Sequence, residues 1–81
     1  MTLTYRFLQY PDGEELEVEH DLRIDQLVDL NGRPLPLPLK NAKIIAYRVS
    51  KIVRRENRGE DCRYYHLELV PVQELQGLSR R

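Results

Sequence analysis

Four arginines, Arg54, Arg55, Arg58 and Arg63, fall within ten residues, and Tyr64 and Tyr65 follow directly. Guanidinium forks bind phosphate in two-point geometry, and tyrosine rings stack on bases. This grouping is therefore the strongest chemical signal in the chain, and its partner of choice would be nucleic acid. Glu56, Glu60 and Asp61 share the same stretch and offer the arginines partners of their own. The isoelectric point of 6.7 also lies far below the ~9 of a typical nucleic-acid footprint. A solvated, ion-paired hairpin or a protein contact explains the cluster better.

Other chemistry is sparse. His20 and His66 are far apart in sequence, and neither has a Cys or His three or four residues away, as a metal site would need. Cys62 is the sole cysteine, so it has no resolving partner. On a strand Cys62 and His66 would lie ~13 Å apart, too far for a nucleophile and its base. The four glycines are dispersed and form no phosphate cradle. The carboxylates of residues 12–29 mostly alternate with apolar residues, as on a wetted strand face. No residue is assigned a catalytic, cofactor-binding or metal-binding role, and a non-enzymatic protein is expected.

The 81 residues fit one domain. Leu, Ile, Val and Phe supply 24 of them, about 30%, enough to fold rather than stay disordered. The core of so short a chain is marginal, and without a second cysteine no internal disulfide can brace it. A partner subunit is the remaining staple, so weak self-association is expected. A lone cysteine suits a reducing compartment. No apolar run nears the ~18 residues of a membrane helix, and no secretory pattern opens the chain. A cytoplasmic protein with no membrane attachment is expected.

Formal net charge is zero, but the charges segregate. Residues 12–29 carry eight acids and one base, whereas residues 40–63 carry eight bases and three acids. Side by side, the two segments would neutralise each other.

The elements that must hold these residues read mostly as strands. Leu3, Tyr5 and Phe7 alternate with polar residues, and Leu16 and Val18 alternate with glutamates. Between them Pro11 and Gly13 mark a turn. In residues 22–30, Leu22, Ile24, Val28 and Leu30 favour a strand, with a helix capped by Asp21 as rival. Asn31-Gly32 then predicts a two-residue turn with both residues at positive φ. Its hairpin would set Val28 opposite Leu35 and turn Leu35, Leu37 and Leu39 into the core. Pro34, Pro36 and Pro38 would fall at non-bonded positions, making 33–39 an edge strand. Prolines two apart spoil the threefold repeat of a polyproline ligand.

Residues 42–53 are apolar on both faces, as in a central or strongly bent strand. A polar turn over 54–61 and a returning strand over 62–70 follow, with Tyr65, Leu67 and Leu69 on one face. Pro71 ends that strand, and residues 72–76 allow a helical turn.

The expectation is a mostly β single domain over residues 1–78 with a frayed tail over 79–81. Its form would be an antiparallel sheet or a five- to six-stranded barrel of SH3 or OB size, with at most a short helical turn. The expected function is a protein-interaction or assembly module, acting on a protein partner or as a weak homodimer. The alternative is a nucleic-acid-binding barrel that uses the 54–63 hairpin with Tyr64 and Tyr65. Candidate partner or phosphate contacts are Arg54, Arg55, Arg58, Arg63 and Tyr64.

Overall fold

In the computed structural model, which describes residues 2–39 and 43–78, both alternating N-terminal segments are strands. They are β1 (Leu3–Gln9) and β2 (Glu15–Val18), paired antiparallel from Arg6↔Val18 to Gln9↔Glu15. The Tyr10 amide donates to Glu14 O, and Gly13 sits at φ +93° inside the loop. Asp12 Oδ1 accepts from the Glu14 amide and locks the turn.

Three further strands follow: β3 (Leu27–Val28), β4 (Tyr47–Asn57) and β5 (Glu60–Leu69). The sheet order is β2-β1-β5-β4-β3. It is a single five-stranded curled half-barrel with one short helix, α1 (Val72–Leu78), so the mostly β expectation holds. One pair is not antiparallel. β1 runs parallel to β5, from Leu3↔Glu60 to Gln9↔His66. Alternation identifies a buried face but carries no direction, so strand polarity was not readable from it.

The apolar face of β4 changes parity at Ser50, where the ladder with β5 slips between Val49 and Lys51. A bulge of this kind sends one residue out of register and bends the strand. Val49 before it and Ile52 after it therefore pack into the same core. That is why residues 42–53 read as apolar on both faces; Ala42 lies outside the described residues.

The main core gathers Leu8, Leu22, Val28, Val49, Tyr65 and Leu67. A second cluster of Leu27, Leu39, Ala46, Val70 and Leu75 lies under α1. Pro71 O accepts from the amides of Glu74 and Leu75 and starts that helix. Arg48 of β4 ties it down through an ion pair to Glu74 and reaches Glu68 at 3.4 Å. The expected helical turn is thus present and runs through Gly77.

The segment 22–39 departs most from expectation. Residues 22–26 form neither a long strand nor a helix, and Asp25 has φ 69°. The turn at Asn31-Gly32 holds three residues, not two. Asp29 N donates to Arg33 O, and Gly32 N donates to Asp29 O. Asp29 Oδ1 accepts from the Asn31 and Arg33 amides at 2.8 and 2.9 Å, which starts the turn one residue early. Gly32 alone takes positive φ, at +81°, and Asn31 does not.

This is the three-residue loop with a terminal left-handed glycine, the same form as Pro11-Asp12-Gly13. The register moves by one: Val28 lies opposite Pro34, and Leu35 N donates to Leu27 O. Leu39 is buried and Leu35 half-buried, but Leu37 is 59% exposed and does not face the core. Residues 33–39 form a bridge and then an irregular segment rather than an edge strand. The frayed tail expected over 79–81 lies outside the described residues.

Candidate interaction face

The polar stretch 54–61 is not a loop. β4 and β5 pair as far as Asn57↔Glu60, leaving Arg58 and Gly59 as the turn, with Gly59 at φ +71°. Cross-strand ion pairs let charged residues extend the ladder past the apolar core. Alternation then divides the sequence cluster between the two faces of the sheet.

Arg54, Arg63 and Tyr65 face inward. Arg54 lies 3.0 Å from Asp61 Oδ2 and 3.3 Å from Glu56. Arg63 lies 3.0 Å from Asp21 Oδ1 and 3.6 Å from Asp61 Oδ2. Asp21 also accepts from Arg6 at 2.5 Å and sits 3.5 Å from the Tyr65 hydroxyl. The Arg6 hydrogen bond holds the Asp21 carboxyl below its usual range. Tyr65 is 1% exposed, so no base can stack on it. Arg54 and Arg63 are thus ion-paired at the end of the core, with the Tyr65 hydroxyl beside Asp21.

Arg55 and Tyr64 face outward, and sequence reasoning missed what lies beside them. Phe7 is the register partner of Tyr64 across the parallel pair, and their rings stack with centroids 5.5 Å apart. Tyr5 continues the column 6.5 Å from Phe7. The Arg55 guanidinium lies over Tyr64, 5.9 Å from its ring centre.

Read across the sheet, one rung holds Glu17, Phe7, Tyr64 and Val53, and the next holds Glu15, Gln9, His66 and Lys51. A third holds Tyr5, Cys62 and Arg55. The outer face is thus acidic on β2, aromatic on β1 and β5, and basic on β4. A groove lined by Glu15, Gln9, Lys51, Val53, Arg55, Tyr64 and His66 crosses it.

Among the described residues, Glu17, Lys51 and Arg55 make no ion pair within the chain. Glu15 accepts from Gln9 at 3.0 Å. Arg58 stands at the hairpin tip, away from the rings. The alternation of residues 3–7 was legible, but the parallel pairing that brings Phe7 onto Tyr64 was not.

Among the described residues no three His, Cys, Asp or Glu side chains converge on a metal position. Cys62 is a half-buried free thiol in the outer face. Among the described residues no helix is long and apolar enough to cross a membrane. No curated protein and no solved structure matches the chain significantly. The family model described as "Uncharacterised Treponema protein" matches residues 2–78, and the chain belongs to that family.

Proposed function

We propose that the protein is a non-enzymatic interaction module, working in the cytoplasm, that binds a protein partner through the outer face of its sheet. The observation that carries this reading is the half-exposed ring column Tyr5, Phe7 and Tyr64, flanked by unpaired acids on one side and bases on the other. An aromatic centre with a charged rim is the layout of a protein-binding hot spot. Leu22, in the loop after β2, and Val28 of β3 pack on the inner face, and α1 packs through Leu75 against Leu27 on the opposite face near Arg48 and Glu68, leaving the ring column beyond it half-exposed. Affinity capture from a cell extract, with wild type and variants compared, tests the reading. Tyr64→Ser with Arg55→Glu should abolish capture, and inward-facing Arg54→Gln should keep it. Capture that ignores the outer-face pair would remove the proposal.

One observation favours nucleic acid as the second reading: a guanidinium stacked on an open ring, as at Arg55 and Tyr64. The cationic set for that reading shrinks to Arg55, Lys51 and Arg58, because Arg54 and Arg63 are ion-paired. Glu15 and Glu17 on the same face oppose a phosphate chain. Labelled oligonucleotides titrated at low salt should give a flat curve into high micromolar protein. Binding that falls steeply with salt and is lost in Arg55→Glu would support this second reading instead.

A further inference from the structure

The outer face carries its own complement. Its acidic column, Glu15 and Glu17, lies on β2, and its basic residues, Lys51 and Arg55, lie on β4, with the two aromatic strands between them. Consider a second copy laid face to face, related by a twofold axis that runs parallel to β1 and passes between β1 and β5. Such an axis keeps every rung at its own height and exchanges left for right. Glu15 then meets the partner's Lys51. Glu17 lies over the partner's Val53, between the partner's Lys51 and the partner's Arg55. Phe7 lies over the partner's Tyr64, and Tyr64 over the partner's Phe7, so four rings close around the axis. A twofold axis across the strands would instead set acid on acid and base on base. Charge therefore selects one of the two arrangements.

We infer that the partner of the outer face is a second copy of this chain, docked about that strand-parallel twofold axis. The inference rests on reading this face as an interaction surface. An isologous contact needs a patch complementary to itself, and this one is complementary in both charge and aromatic content. Strand spacing and rise put the patch at roughly 450 Å² a side, against ~800 Å² in a standard interface. Association is accordingly weak, and weakens further with salt.

Two variants test it: Glu15→Lys with Glu17→Lys, and Lys51→Glu with Arg55→Glu. All four residues are exposed, and circular dichroism checks that each variant is folded. Sedimentation equilibrium at low salt should show the wild type self-associating and each double variant associating at least tenfold more weakly. An equimolar mixture of the two should regain association, because both contacts of the mixed dimer are again opposite in sign. The fourfold variant carrying all the reversals should regain it alone.

A wild type monomeric at millimolar concentration overturns the inference. So does association that ignores the reversals, or a mixture that fails to recover. If the wild type is monomeric yet captures another protein in a manner sensitive to Tyr64→Ser, the second copy is wrong and the interaction reading survives. Monomer with no sensitive capture removes both. Salt-sensitive oligonucleotide binding by a monomer also overturns the second copy.

Discussion

Asp21 shows how one exposed side chain organises several others. Its Oδ1 receives Arg6 and Arg63 and approaches the Tyr65 hydroxyl, joining the loop after β2 to β1 and β5. Its carboxyl titrates below the ordinary value of 3.8, chiefly through the Arg6 hydrogen bond. A carboxyl with a lowered folded-state pKa adds stability above its unfolded value and loses it as pH falls through the folded one. Asp21→Asn should lower stability at pH 7 by about 0.5–1 kcal/mol, a modest figure because the side chain is 60% exposed. The difference should shrink as pH drops below about 4. Urea midpoints at pH 7 and pH 3 measure it, and an equal deficit at both would contradict the linkage.

Gly32 is constrained twice. Its φ is +81°, and a Cβ there would stand 2.5 Å from Leu8 Cδ1. Gly32→Ala should cost roughly 1–3 kcal/mol from backbone strain and overpacking together, read as a drop in thermal midpoint. Gly13 has a similar φ but open space, so Gly13→Ala should cost less.

At the scale of elements, the segment 29–39 explains both what the sequence disclosed and what it hid. Asn31-Gly32 announced a turn, and a turn is there. Asp29, two residues ahead of Asn31, accepts the Asn31 and Arg33 amides and adds a residue to the loop. In the first loop Tyr10 holds the position of Asp29, and Asp12, inside the loop, accepts the Glu14 amide instead. Beyond the Val28–Pro34 bridge the segment leaves the strand form, so alternation no longer holds: Leu37 stands in solvent and Leu39 is buried. Leu37→Ala should change stability by no more than about 0.5 kcal/mol, whereas Leu39→Ala should cost about 2–4 kcal/mol. Denaturant unfolding of the two variants separates them, and equal losses would restore the two-residue register.

Pro36 is exposed, and Pro36→Ala should be near neutral. The candidate site was legible in half. Arg55 and Tyr64 were named, but the cluster's split between faces follows from the length of the β4–β5 ladder. Phe7 joins them through the parallel pairing of β1 with β5, distant in the chain, to which local periodicity is blind, whereas Lys51 shares β4 with Arg55.

Across the whole molecule, stability should be layered according to sheet order. β1, β5 and β4 each have neighbours on both sides, whereas β2 and β3 are the edges. Native-state hydrogen exchange should find its slowest amides in β5 and in the parts of β1 and β4 that flank it. The short β3 and the residues around Asp25 should exchange fastest among the sheet-bound segments. Slow amides confined to the β1–β2 hairpin would contradict that ranking.

The parallel ladder also sets a timetable. β1 is made at residue 3 onward, but its central partner begins at residue 60. At ~5–20 residues per second a ribosome takes about 3–11 s to cover that interval. Until then the first hairpin has no sheet to join, and two strands alone are marginal in water. Leu8 and the ring column of Tyr5 and Phe7 spend those seconds uncovered. Glu15, Glu17 and Glu19, made immediately afterwards, place like charge beside that open strand. Nascent neighbours on one messenger therefore repel each other at the edge where they would otherwise pair. The acidic column thus places like charge along the open hairpin before Lys51 and Arg55 exist to answer it.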